Sequence, residues 1–216
     1  PSNVPDRVLR AIDRPTIDHR GPEFVALTLE ILDRLKTLFG TRSPVVMYPS
    51  SGTGAWEAAL VNTLSSGDRV LAFDNGQFAT LWRGVAQRLG LEVVFEPGDW
   101  RDAVNPAAVE QHLSEDRDHT IKAVMVVHNE TSTGVVSPIA EIRRAIDRAG
   151  HPALYLVDTV SSLGSMEFRH DDWGADVTVC GSQKGMMLPP GIGFTAISEK
   201  AIRASETAGM AKAYWD

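Results

Sequence analysis

Lys184 is the only charged residue between Asp176 and Glu199, in the middle of residues 177–193, VTVCGSQKGMMLPPGIG. The other four lysines, Lys36, Lys122, Lys200 and Lys212, have charged or polar neighbours, as surface lysines do. An amine held in a poorly solvated place is disfavoured as ammonium and becomes a usable nucleophile. Taken alone, Lys184 reads first as a lysine that snorkels out of a strand end. Asp158 closes the apolar run 153–157. A carboxylate at a buried strand end needs a cation or several donors, because an unpaired buried charge is costly. It either caps the turn that starts at Val160 or pairs with a cationic ligand. Ser51-Gly52-Thr53-Gly54 lies between a short apolar run and a helical pattern. Such a junction is either an ordinary capped turn or a seat where helix N–H groups receive an anion. His128 is either a satisfied core histidine or a polar group at a strand end.

These residues need elements to carry them. Residues 23–39 put Phe24, Leu27, Ile31, Leu32, Leu35, Leu38 and Phe39 at helical spacing, with Gly40 as a stop. Further helices are predicted over 55–64, 78–89, 106–113, 139–149 and 199–209. Strands are predicted over 44–48, 69–73, 92–95, 121–128, 153–157, 177–179 and 192–197. Strands that alternate with helices and are apolar on both faces imply an α/β fold: a three-layer α/β/α arrangement around a mainly parallel sheet. Ligands of such sheets bind at the carboxyl ends of the strands. Ser51-Gly52-Thr53, Asp74-Asn75-Gly76, 128–131, Asp158 and Ser182-Gln183-Lys184 all fall just after strands.

Composition narrows the classes. With 216 residues and 43% apolar content the chain can bury a substantial core. A net charge of −7 and a pI near 5.4 argue against a nucleic-acid surface. No apolar run reaches the roughly 18–20 residues that cross a bilayer, so no membrane partner is expected. A single cysteine, Cys180, fits a reducing, cytoplasmic setting. The histidines show no metal-ligand spacing, so no metal is expected. No G-x-S-x-G elbow is present, the loop at 51–54 lacks the Gly-Lys-Ser/Thr of a P-loop, and Glu57 stands where a dinucleotide fingerprint has its third glycine. Pro1 is not a starting Met, and Tyr214-Trp215-Asp216 ends the sequence on aromatics without a polar tail. The sequence therefore reads as part of something longer.

A lysine amine, a strand-end aspartate and a helix N-terminus together describe pyridoxal phosphate chemistry. The lysine binds the cofactor aldehyde, the aspartate keeps the pyridine nitrogen protonated, and the helix start takes the phosphate. SGTGAWEAALVN, Asp158-Thr159-Val160-Ser161-Ser162 and above all GSQKGMMLPPG resemble the class V, fold-type I aminotransferases, closest to the serine–glyoxylate and alanine–glyoxylate enzymes. The resemblance covers all 216 residues, including the opening PSNVPDRV and DHRGPEF.

The resemblance implies that Lys184 forms the Schiff base and Asp158 partners the pyridinium nitrogen. It gives Ser51, Gly52, Thr53 and Gln183 to the phosphate and Phe78 to one ring face. Val160 would lie under the other face, and Thr131 near the phenolic oxygen. Asn129 stands where some relatives have glycine. The implied reaction carries an amino group from serine or alanine to glyoxylate, giving glycine and a 2-oxo acid, in a homodimer. The implied domains are an N-terminal arm over 1–22 and a cofactor-binding large domain over 23–216, without the small domain. The arginine that grips the substrate carboxylate in this family would lie beyond Asp216, and Arg20 is a weak candidate for that role. Peroxisomal delivery would be expected only in a eukaryotic relative. A lyase or desulfurase of the same class, or a non-catalytic cofactor-binding fragment, remains the alternative.

Overall fold

Burial along the strands sets the architecture. Ala123, Met125 and Val127 face one way and Val124 and Val126 the other, all 4% exposed or less. A strand buried on both faces must lie between two layers of helices. A computed structural model describes residues 2–216. In chain order the elements are α1 (Asp6–Ile12), α2 (Pro22–Phe39), β1 (Val45–Ser50), α3 (Gly52–Thr63), β2 (Arg69–Phe73), α4 (Gln77–Arg88), β3 (Glu92–Glu96) and α5 (Pro106–Glu115). There follow β4 (Ile121–Val127), the short ribbon β5 (Asn129–Glu130) and β6 (Val135–Val136), α6 (Ile139–Arg148), β7 (Leu154–Asp158), β8 (Val177–Gly181), β9 (Gly191–Ile197) and α7 (Glu199–Ser205).

Seven strands form one sheet in the order β1-β9-β8-β7-β4-β2-β3. The run β3-β2-β4-β7-β8 is parallel throughout. β9 is antiparallel to both β8 and β1. Two reversals cancel, so β1 points the same way as β8 and its carboxyl end reaches the same edge of the sheet. Pro49, which cannot donate to a ladder, is tolerated because β1 is an edge strand.

One core lies between the sheet and α2, α5 and α6, built on Phe39, Leu113, Ile142, Ile146, Tyr155 and Phe194. The other lies between the sheet and α3, α4 and α7, built on Trp56, Leu60, Trp82, Leu71's neighbour Val70, Leu156 and Ala201. The three-layer α/β/α expectation therefore holds.

Several local readings are corrected. Residues 1–22 contain a helix, α1, that has no buried residue. It has too little apolar periodicity to be read from sequence. On α2 only Leu35 and Phe39 are buried, whereas Phe24, Val25, Leu27, Leu29 and Leu38 are exposed. The helical spacing there is real, but much of the apolar surface is not core. α3 begins at Gly52 rather than 55, and α7 stops at Ser205 rather than 209. Among the described residues, no helix is long and apolar enough to cross a membrane.

Candidate active site

Because β1, β4, β7 and β8 end at one edge, the loops after them converge. Ser51, Gly52, Thr53, Phe78, Thr131, Asp158, Val160, Gln183 and Lys184 all line a single cleft there. Trp56, Val127, Asn129 and Ser161 complete its wall.

At one end the cleft meets the start of α3. Ser51 is the N-cap, in extended conformation, and its Oγ accepts from Gly54 N–H at 3.5 Å. The N–H groups of the first turn have no preceding carbonyl to bond, and the helix dipole places partial positive charge on them. Gly52 starts the helix directly against Val160: a Cβ there would lie 2.7 Å from Val160 Cγ2. Gly181 approaches the same place, since its Cβ would come 3.2 Å from Gly52 N and 3.1 Å from Gln183 Oε1. Gln183 Oε1 is buried and has no hydrogen-bond partner. A phosphate would use this amide with its NH2 turned to donate, together with the α3 N–H groups and the Ser51 and Thr53 hydroxyls.

Asp158 is 2% exposed. Its Oδ1 accepts from Val160 N–H at 2.6 Å and its Oδ2 from Trp56 Nε1–H at 2.8 Å. Burial raises its carboxyl to about 6, while the Val160 and Trp56 bonds pull the other way. Glu130 adds to the upward push and Lys184 opposes it. Neither carboxylate oxygen forms an ion pair with a side chain. A cationic ring nitrogen is the partner such a carboxylate lacks.

Lys184 follows β8 in a turn where Met187 N–H donates to Lys184 O at 2.9 Å. Ser182 anchors that loop: its N–H donates to Ile192 O at 3.0 Å and its Oγ to Pro189 O at 2.6 Å. The loop packs on the turn after β7 at Gly185, where any Cβ would run into Leu163 O and the backbone of Gly164. The half-buried Lys184 thus sits beside the Asp158 turn, with Nζ 5.9 Å from the centre of the Phe78 ring.

Phe78 is held by a carboxylate that falls in the strand-end stretch 128–131 but had no role assigned from sequence. Glu130 is fully buried, and its Oε2 accepts from the N–H groups of Phe78 at 3.0 Å and Ala79 at 3.1 Å. Its Oε1 accepts from Ser132 N–H and Oγ–H at 3.0 and 2.7 Å. It caps α4 from another strand, an arrangement no local spacing reveals. Trp56 was also passed over. A buried tryptophan needs a partner for its N–H, which is the one signal that could have drawn attention to it.

Other expectations fare differently. His128 lies away from the cleft: its Nδ1 bonds Ser162 Oγ at 2.9 Å, and its ring packs on Phe168 and Trp173. Burial lowers its pKa to about 4, as for a core histidine. Arg20 is exposed and does not line the cleft, and no arginine of the described residues does. Cys180 is buried in β8, and burial pushes its thiol up to about 12, so it is not poised as a nucleophile. No cluster of metal-ligating side chains occurs among the described residues.

This arrangement, an amine, a buried carboxylate and a helix N-terminus around an aromatic-walled cleft, can be compared with that of known proteins. The family model described as aminotransferase class-V matches residues 7–211. A serine–glyoxylate aminotransferase of Methylorubrum extorquens is 49% identical over the whole chain, which covers 55% of that relative. An L-aspartate–glyoxylate aminotransferase of Paracoccus denitrificans is 48% identical, again over 100% of this chain and 55% of the relative. The crystal structure of an alanine–glyoxylate aminotransferase from Nostoc superposes with a TM-score of 0.92 at 32% identity, over 100% of this chain and 57% of that one. The chain spans about half the length of the curated relatives it matches.

Proposed function

The chain belongs to the class V aminotransferase family, and from that premise we propose that it is the cofactor-binding part of an enzyme that transfers the amino group of a small amino acid to glyoxylate. The products are glycine and a 2-oxo acid. Class V aminotransferases depend on pyridoxal 5'-phosphate. The observation that carries the reading is the convergence of Lys184, Asp158, Gln183 and the α3 N-terminus on one cleft.

The bound cofactor supplies an aldehyde that captures amines and a ring that draws electrons from the substrate Cα. Lys184 Nζ would be the amine that holds it and the base that takes the substrate Cα proton. Asp158 would hold a proton on the ring nitrogen, which is the electrostatic support such a ring needs. The start of α3 with Ser51, Thr53 and Gln183 binds the phosphate. Phe78 and Val160 would hold the ring, and Thr131 would offer its hydroxyl to the phenolic oxygen. Asp158 is itself buried beside Trp56.

Serine and alanine are the donors we assign. The name of the Paracoccus relative adds aspartate as the competitor to test beside them. We assign a homodimer in the reducing cytoplasm. The apolar side chains left exposed along α1 and α2, among them Ile12 at 54% and Leu29 at 62%, support the dimer.

The test uses the full-length protein with added pyridoxal phosphate. Visible absorbance, borohydride reduction and peptide mapping should place the label on Lys184. Amine transfer to glyoxylate is then compared for serine, alanine and aspartate. Absence of label on Lys184 would sink the reading.

A further inference from the structure

Asp158 and Phe78 approach the cleft from different elements, yet one side chain touches both. Trp56, in the second turn of α3, is 3% exposed. Its Nε1–H donates to Asp158 Oδ2 at 2.8 Å across 102 residues of sequence. Its ring meets the Phe78 ring edge-on, with centroids 6.4 Å apart at 65°. On its other side it stacks on Trp82, 5.8 Å away at 15°, which is itself buried in α4. The indole is thus fixed by packing, and its one polar atom is spent on the carboxylate.

From this geometry we infer that Trp56 is a positioning residue, whose indole N–H holds Asp158 aimed into the cleft in its charged form and whose ring sets the angle of Phe78. The inference rests on the roles given above to Asp158 and Phe78. A donor to an ionised carboxylate favours that form, and in a dry site it does so more strongly than in water. Burial pushes the Asp158 carboxyl up, and the value of about 6 is what remains with the Val160 and Trp56 bonds already pulling it down. The other groups facing it divide by sign. Glu130 from β5 and Cys180 from β8 oppose its charge or are opposed by it, and Lys184 from the loop after β8 favours it. Only Val160 N–H and Trp56 Nε1–H bond it directly from neutral groups.

The experiment follows the Asp158 carboxyl by carbon NMR in full-length protein labelled at aspartate, without cofactor, assigned by its loss in Asp158→Asn. In Trp56→Phe, which keeps an aromatic ring but no donor, the titration should move up by about one pH unit. In Trp82→Phe, which loses no bond to Asp158, it should stay within a few tenths of wild type. A Trp56→Phe titration unchanged from wild type, or an equal shift in Trp82→Phe, overturns the inference. Should Trp56→Phe not fold, the tryptophan indole N–H signals decide in its place. One of them must titrate with Asp158 and cease to do so in Asp158→Asn, and none doing so overturns the inference. Borohydride labelling of Lys184 is read separately in wild type, so failure of the cofactor reading shows there without touching the titration.

Discussion

On the proposed reading, Lys184 and Asp158 divide the chemistry between a group that must move and a group that must not. Lys184 lies in a loop and reaches the cleft on a flexible stem, as a base serving more than one atom requires. Asp158 ends a buried strand and is bonded by two N–H donors. Lys184→Ala should abolish borohydride labelling and reduce transamination by about 10^2–10^4-fold, the usual size of a lost acid–base group. Asp158→Asn should leave labelling detectable and reduce turnover by roughly 10^2–10^3-fold, as for a lost electrostatic group. Rapid-quench assays of both variants check this ordering. Equal activity of Asp158→Asn and wild type would remove Asp158 from its role.

At the scale of elements, the first turns of two helices do the positioning. α3 brings N–H groups to the place proposed for the phosphate, and α4 brings Phe78 to the cleft. α4 has no acidic residue in its own first turn, and its N-cap is Gly76, which offers no side-chain bond. Glu130 supplies from β5 the carboxylate that this helix start lacks. Glu130→Ala leaves the N–H groups of Phe78 and Ala79 unpaired and should cost about 1–3 kcal/mol. In a protein of this size that corresponds to a melting temperature lower by roughly 3–10 °C. Glu130→Gln keeps one carbonyl acceptor and should lose less. Differential scanning calorimetry of the two variants tests the pair, and a Glu130→Ala that melts with wild type refutes this account of the cap.

The whole molecule carries its own pH dependence. His128 and His170 are buried with pKa values lowered to about 4, and His151 is lowered in the same direction, in each case chiefly by burial. His151 accepts Ala153 N–H on Nδ1, so it has no room for a second ring proton. A histidine whose folded pKa lies below its unfolded value near 6.5 binds protons more readily when unfolded. Stability from these three is complete above that value and is lost as pH falls toward 4. Asp158 works in the opposite sense: raised to about 6, it costs stability as pH rises from about 4 through 6. Three groups outweigh one, so the melting temperature should be lower at pH 5 than at pH 7 by about 5 °C or more. A thermal melt across this range checks the sign, and His170→Gln should flatten the slope. At the same scale, the proposed homodimer predicts that Leu29→Glu shifts sedimentation toward monomer, because Leu29 is the most exposed large apolar residue of α2.

The alternation of apolar runs and helical periods determined the α/β class, and most elements begin and end within a few residues of where the sequence puts them. Burial of strands on both faces is written locally, in residues such as Val124 to Val127, and can be read locally. The residues following the strands could also be collected from sequence, because in a parallel sheet their place is set by strand direction alone. That β1 belongs among them depends on two antiparallel pairings with β9, which no local pattern encodes. Glu130 on α4 and Trp56 on Asp158 were decided in the same way, by contacts across 51 and 102 residues. The exposed face of α2 was likewise settled by what packs beside it, since helical spacing shows that a stripe exists and not what covers it. Sequence determined which groups the chemistry could use. Tertiary structure decided which of them meet, because hydrogen bonds and packing depend on distance in space rather than along the chain.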